Sequence, residues 1–167
     1  MIVVDANVVS YWAIHGEKTA QAKAVRKKDD QWILPLITRH EFLNVLGSYI
    51  RADRLDAASA RRKWLEVEPL FEESEVAVDL TKTLDISAEH KITTYYAEYI
   101  TLAQDMNAIL VTEDDELLKK FPYLAVSMSG YLGAEGFKAV REKHADYRAR
   151  KGKTADKSGI VNRIKKP

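Results

Sequence analysis

Five short apolar runs punctuate the first 130 residues, at 2–5, 32–36, 76–78, 109–111 and 125–127. Each is continuous rather than alternating, the pattern of strands covered on both faces. Between them apolar positions recur at helical spacing. Residues 17–28 read as a charged surface helix, and Phe42, Val45, Leu46 and Tyr49 repeat every three or four residues after Glu41. Further helices are predicted over 56–68, 80–90 and 95–106, the last with a core face of Tyr95, Tyr99, Leu102, Ala103 and Met106. Strands alternating with helices predict an α/β fold, a three-layer α/β/α sandwich with a central parallel sheet. Sheets of that kind hold ligands outside the carboxyl ends of their strands, so the polar residues found there matter most.

The bulk properties narrow the picture only slightly. A chain of 167 residues, 46% hydrophobic and 31% charged, suits one soluble domain with a real core. The absence of cysteine excludes disulfides, thiolate metal sites and cysteine nucleophiles, and suits a reducing compartment. The apolar start, MIVVDANVV, has no basic leader and is broken by Asp5, so it does not read as a signal peptide. No run approaches the roughly 18 apolar residues of a membrane span. A cytoplasmic protein with no membrane contact is expected.

Charge is distributed unevenly. Residues 141–167 hold ten Lys/Arg against three Asp/Glu, which leaves 16 basic and 22 acidic residues in the first 140. The expected organisation is a domain over 1–140 and a basic C-terminal tail over 141–167. Within the tail, KGKTADKSG reads as a flexible linker and the last few residues as a short basic turn. Such a tail either contacts a polyanion or is simply solvated.

Acids dominate the strand ends. Asp5 follows Ile2-Val3-Val4 and is either the N-cap of the next helix or a metal ligand on a rigid edge, and one carboxylate can serve both roles. Glu41 stands three residues after Thr38, the spacing of a capping box, and a short helix starting there would also aim it at the rim that holds Asp5. Thr112 and Asp115 repeat that spacing, which leaves Asp114 without a structural task; Glu113 and Glu116 add to the crowding. Four acids at one strand end repel one another unless solvent or a cation intervenes. On the helix over 95–106, Tyr96 and Glu98 fall on opposite flanks, about 200° apart, so Glu98 is either an exposed helical residue or, with local rearrangement, a metal ligand that compensates for the missing acid at 96. An oxygen-only ligand set favours a hard cation such as Mg²⁺ or Mn²⁺, which activates water and offsets charge on a phosphate. His15, His40, His90 and His144 lack ligand spacing. Arg39 is a candidate to contact a phosphate near the rim.

Taken together, VDANVV, RHEFLNVL, the Tyr95-x-Ala97-Glu98-Tyr99-x-x-Leu102-Ala103 run and LVTEDDELL resemble the PIN-domain ribonucleases, particularly the VapC-type toxins of toxin–antitoxin pairs. The motifs occur in the family's order from residue 1 to about residue 130. The resemblance implies a Mg²⁺- or Mn²⁺-dependent endoribonuclease acting on RNA, a homodimer, and a small antitoxin as partner. It maps the family's acids onto Asp5, Glu41 and Asp114, with Asp115 or Glu116 as accessory acids, and makes Asn7 a polar residue that helps hold the site. One position departs. Tyr96 stands where the family carries a further acid, and a phenol with a pKa near 10 brings no charge at neutral pH.

Two other functions are weighed. A binding module that keeps the fold but performs no hydrolysis would follow from Tyr96. A phosphatase or receiver domain also ends a strand in aspartate, but the phosphatase pattern wants a second acid where Asn7 stands, and the receiver's acidic pair and lysine are not found.

Overall fold

The computed structural model describes residues 1–161. Among them lie five strands, β1 (Ile2–Val4), β2 (Trp32–Pro35), β3 (Glu75–Val76), β4 (Leu110–Val111) and β5 (Ala125–Val126). They form one parallel sheet in the order β3-β2-β1-β4-β5. Helices α1 (Ala6–Ala13) and α2 (Thr19–Lys28) join β1 to β2; α3 (Ile37–Arg51) and α4 (Ala57–Ser74) join β2 to β3. Then α5 (Leu80–His90) and α6 (Thr94–Asp105) lead to β4, and α7 (Asp115–Lys120) leads to β5. Helices α8 (Met128–Leu132) and α9 (Ala134–Val161) follow.

The continuous apolar runs are explained by the two faces of this sheet. Side chains alternate along a strand, so Ile2 and Val4 enter one core while Val3 enters the other. Ile109 and Val111 likewise join the first core and Leu110 the second. The first core is completed by α1–α4, α8 and α9, the second largely by α5, α6 and α7. The α/β/α sandwich expected from the sequence is therefore present, with strand ends shifted by a residue or two. The chain leaves β1 toward β2 and β3 on one side and returns to β4 and β5 on the other. That reversal opens a crevice at the carboxyl ends of β1 and β4, directly after which Asp5 and Thr112 stand.

Several local expectations are corrected. Helix α4 continues through Pro69 to Ser74 instead of stopping at residue 68. Pro69 removes one helical N–H, but the next two residues, Leu70 and Phe71, are buried, and Phe71 packs 5.5 Å from Trp64 and 5.9 Å from Phe42, ring centre to ring centre. On α6, Tyr95 is 55% exposed rather than in the core. Because α6 packs against β1, β2 and β4, its buried residues run nearly all round it, from Ala97 through Tyr99–Ala103. The segment KGKTADKSG belongs to α9 and is helical, not a linker, in keeping with its Lys and Ala content and lack of proline. The 140/141 boundary falls inside that helix, and His144 and Tyr147 beyond it still meet Asn107 and Tyr123. The terminal basic turn, residues 162–167, lies outside the described residues. Among the described residues no helix is long and apolar enough to cross a membrane.

The aromatic trio on α3 and α4 should hold that pair of helices to the sheet. Phe71→Ala is expected to cost about 3–5 kcal/mol, read as a lower urea midpoint with a similar slope. A change under about 1 kcal/mol would show that α4 past Pro69 adds little to stability.

Candidate active site

Asp5 ends β1 and begins α1, and it serves as the helix cap: its Oδ1 accepts the Val8 N–H at 2.8 Å. Its Oδ2 accepts the Thr112 hydroxyl, which reaches over from the end of β4. The carboxylate is 4% exposed. Burial raises its pKa to about 7 against the lowering effect of these two hydrogen bonds, and the nearby charges of Glu41 and Asp114 push in the same direction as burial.

Glu41 projects from α3 into the same cavity, a space of about 250 Å³ lined also by Asn7, Asn44, Tyr96 and Tyr99. It plays no part in a capping box. Helix α3 begins at Ile37, before Thr38, and Thr38 is fully buried inside it. The cap position of α3, Leu36, makes no side-chain capping bond. Glu41 Oε2 accepts the Tyr99 hydroxyl at 2.5 Å, and the same hydroxyl accepts the Ala6 N–H at 3.3 Å. Partial burial raises the Glu41 pKa, opposed by the Tyr99 bond. Tyr99, buried and facing Glu41, is held well above its ordinary value and stays a neutral donor.

Asp114 has the structural task the sequence reading denied it. It, not Thr112, caps α7: its Oδ1 accepts the Glu116 and Leu117 N–H groups at 2.9 and 3.0 Å. Its Oδ2 accepts the Tyr96 hydroxyl at 2.6 Å. This bond, with burial, pushes the Tyr96 phenol up, so Tyr96 remains protonated. The crowding of acids around Asp114 is relieved by protein cations. Glu113 pairs with Lys18 at 2.5 Å and also accepts the Met128 N–H, while Glu116 pairs with Lys120 at 2.8 Å. Asp115 is exposed on the first turn of α7.

The structure thus brings Asp5, Glu41, Asn7 and Tyr96 to one cavity, with Asp114 behind Tyr96. It leaves two expected residues elsewhere. Glu98 lines a separate hollow with Leu36, His40 and Leu80. Arg39 turns to the sheet edge and clasps Glu75 with two hydrogen bonds, one from Nε at 2.7 Å. Thr112, Tyr99 and Asn44 were not recognised as site residues in the sequence. Asn44 had a usable signal, since it follows Glu41 by three residues and shares its face of α3.

The donor set matches a hard divalent cation in kind, because every candidate ligand is oxygen. It does not form a closed cage: among the described residues no three of His, Cys, Asp and Glu are grouped to hold a metal ion. Asp5 and Glu41 suit one hydrated ion of the Mg²⁺ type, which is commonly held by one or two carboxylates and completed by substrate phosphate.

A parallel sheet with a buried and a half-buried carboxylate at its switch point belongs to the open α/β proteins whose ligands bind outside the carboxyl ends of the strands. The model for the PIN domain matches residues 2–122, and the chain belongs to that family. It is 29% identical over 127 residues to a protein named Ribonuclease VapC3 from Pyrobaculum aerophilum, covering 74% of this chain and 96% of the relative. It is 32% identical over 118 residues to Exonuclease VapC9 of the same organism, covering 71% and 84%. Among solved structures, PAE2754 from Pyrobaculum aerophilum superposes with a TM-score of 0.61 at 27% identity, over 78% of this chain and 92% of that one. FitAcB from Neisseria gonorrhoeae shares the fold, with a TM-score of 0.59 at 16% identity over 77% and 99%.

The raised pKa of Asp5 makes stability depend on pH. The folded protein keeps a proton that the unfolded chain releases between about pH 4 and 7, so this contribution is complete below pH 4 and lost as pH rises through about 7. Asp5→Asn preserves an acceptor for Val8 and removes the charge. Without added divalent cation, the variant is expected to exceed the native protein in stability at pH 8 by roughly 2–4 kcal/mol, with a smaller gap at pH 5. Parallel urea-derived stabilities at both pH values would show that Asp5 titrates normally.

Proposed function

We propose that this protein is a Mg²⁺- or Mn²⁺-dependent endoribonuclease and the toxin of a toxin–antitoxin pair, working in the cytoplasm. The observation that supports it best is the convergence of Asp5 and Glu41 on one cavity at the carboxyl end of the sheet in a PIN-domain chain. Relatives named as a ribonuclease and an exonuclease support hydrolysis of a nucleic acid chain. Residues 1–140 are assigned to the catalytic domain, and the basic stretch 141–167 to sequence-independent contact with RNA phosphate.

Asp5 and Glu41 would hold the cation, with Asp114 contributing where Tyr96 releases it. Bound there, a divalent cation supplies Lewis acidity that activates water and offsets the charge developing on phosphoryl oxygens. The protein's own part is positioning. The Thr112 hydroxyl and Val8 N–H hold both oxygens of Asp5, and the Tyr99 hydroxyl holds one oxygen of Glu41. Asn7, exposed at the rim, offers its amide to a phosphate oxygen. Tyr96 restrains activity, because its hydroxyl occupies an oxygen of Asp114 and puts a neutral group where the family carries an acid.

Cleavage of a circular single-stranded RNA separates an endonuclease from an exonuclease, since a circle offers no end. Opening of the circle is expected with Mn²⁺ or Mg²⁺, with a loss of at least about 100-fold in Glu41→Gln and in EDTA. Tyr96→Asp should raise the rate and tighten metal affinity. Circles opened equally well in EDTA would sink the metal-dependent reading. Circles that stay closed with every variant would leave a binding module as the function.

A homodimer is proposed on the face beside the edge strand β3. There Leu36, Leu80 and Leu84 are 48%, 67% and 61% exposed, around an apolar hollow of about 330 Å³. Exposed clusters of large apolar side chains mark association surfaces. Leu80→Asp with Leu84→Asp should convert a dimer to a monomer by light scattering; an unchanged mass would place the dimer contact on another face.

A further inference from the structure

The acidic cavity does not end at Asp5 and Glu41. Asn7 and Val45 also line a second, larger hollow of about 580 Å³, whose walls come from the end of α1, the turn into α2 and the turn after α3. Its character is different. Two aromatic rings, Tyr11 and Tyr49, face it together with Lys18 and Arg54, and Glu17 is its one acid.

Both rings pack partly against the first core, which fixes their position. The sides turned outward carry cations instead of apolar neighbours: the Lys18 ammonium lies 5.2 Å from the Tyr11 ring centre, and the Arg54 guanidinium 5.9 Å from that of Tyr49. Such contacts are weak at exposed sites, so a planar ligand can take the ring while the cation swings to a neighbouring anion. Arg54 is anchored for this role. Its N–H bonds the Tyr49 carbonyl at 2.9 Å, after a turn in which Asp53 adopts a left-handed φ of 53°. Among the described residues Arg54 pairs with no carboxylate, whereas Lys18 is held by Glu113.

We infer that this hollow is the subsite for an unpaired nucleotide of single-stranded RNA beside the acidic cavity, its base stacked on Tyr11 or Tyr49 and its phosphate on Arg54. Rigid aromatic faces next to cations are what recognise an unpaired base and its backbone, and a base inside a duplex cannot reach them. Among the residues that line the acidic cavity there is no Lys or Arg, whereas the hollow has both. The inference rests on the nuclease reading and names where its substrate lies.

The test is fluorescence anisotropy in EDTA with a labelled single-stranded RNA of about twelve nucleotides, its abasic counterpart and its duplex. Tyr11→Leu should weaken binding of the single strand about fivefold or more, with Tyr11→Phe close to native, and neither should affect the abasic strand. Arg54→Ala should weaken both single strands and lower the salt dependence by about one ion. RNA bound equally by native protein and all variants would overturn the subsite while leaving the nuclease reading intact. Native protein that binds no RNA would overturn both. Variants that keep RNA affinity but change the light-scattering mass would give the hollow to a protein contact and overturn the subsite.

Discussion

The burial of the Asp5 carboxylate is the constraint around which this molecule is arranged. A charge 4% exposed at the end of a central strand needs partners from more than one element. Asp5 finds them in the first turn of α1 and in Thr112 beyond β4, so its two oxygens tie β1, α1 and β4 together at the sheet's switch point. The phenol of Tyr99 makes the adjoining link, joining the start of α1 to Glu41 of α3. The hydrogen bonds that make the fold possible at this point are the ones that orient its acids.

The same economy holds for the other acids of the rim. Asp114 caps α7, and Glu113 joins Lys18 to the start of α8. Each discharges a structural need, and the negative charge that remains open to the cavity is concentrated on Asp5 and Glu41. Tyr96 fits this arrangement as a donor: its hydroxyl satisfies the Asp114 oxygen left free by the α7 cap. On the proposed function, that leaves one carboxylate fewer for a cation and makes substrate phosphate a larger part of its coordination.

Beyond the acids the surface changes character within a few ångströms, from carboxylate and amide to ring and guanidinium. Asn7 stands at that border and faces both spaces. An acidic pocket alone repels a polyanion; a pocket flanked by Lys18 and Arg54 does not, because the attraction for backbone phosphate comes from the neighbouring wall. On the proposed function, affinity and chemistry are divided between adjacent regions that share α1 and α3, through Asn7 and Val45.

Hydrophobic pattern by itself determined the architecture. Apolar runs such as Ile2-Val3-Val4 and Ile109-Leu110-Val111 admit only strands covered on both sides, because each side chain must have a core to enter and neighbours enter opposite ones. The acids Asp5 and Glu41 were also legible, since their places after β1 and early in α3 follow from local order along the chain. What only tertiary structure decided was partnership. Thr112 is 107 residues from Asp5 and Tyr99 is 58 from Glu41, so no local spacing announces either bond. The capping-box spacings at Thr38 and Thr112 misled because packing set the helix starts elsewhere: α3 begins at Ile37, before Thr38, and α7 is capped by Asp114, two residues beyond Thr112. Arg39 was drawn from the rim by the buried Glu75 carboxylate, a partner that arises only once the sheet and its helices are assembled.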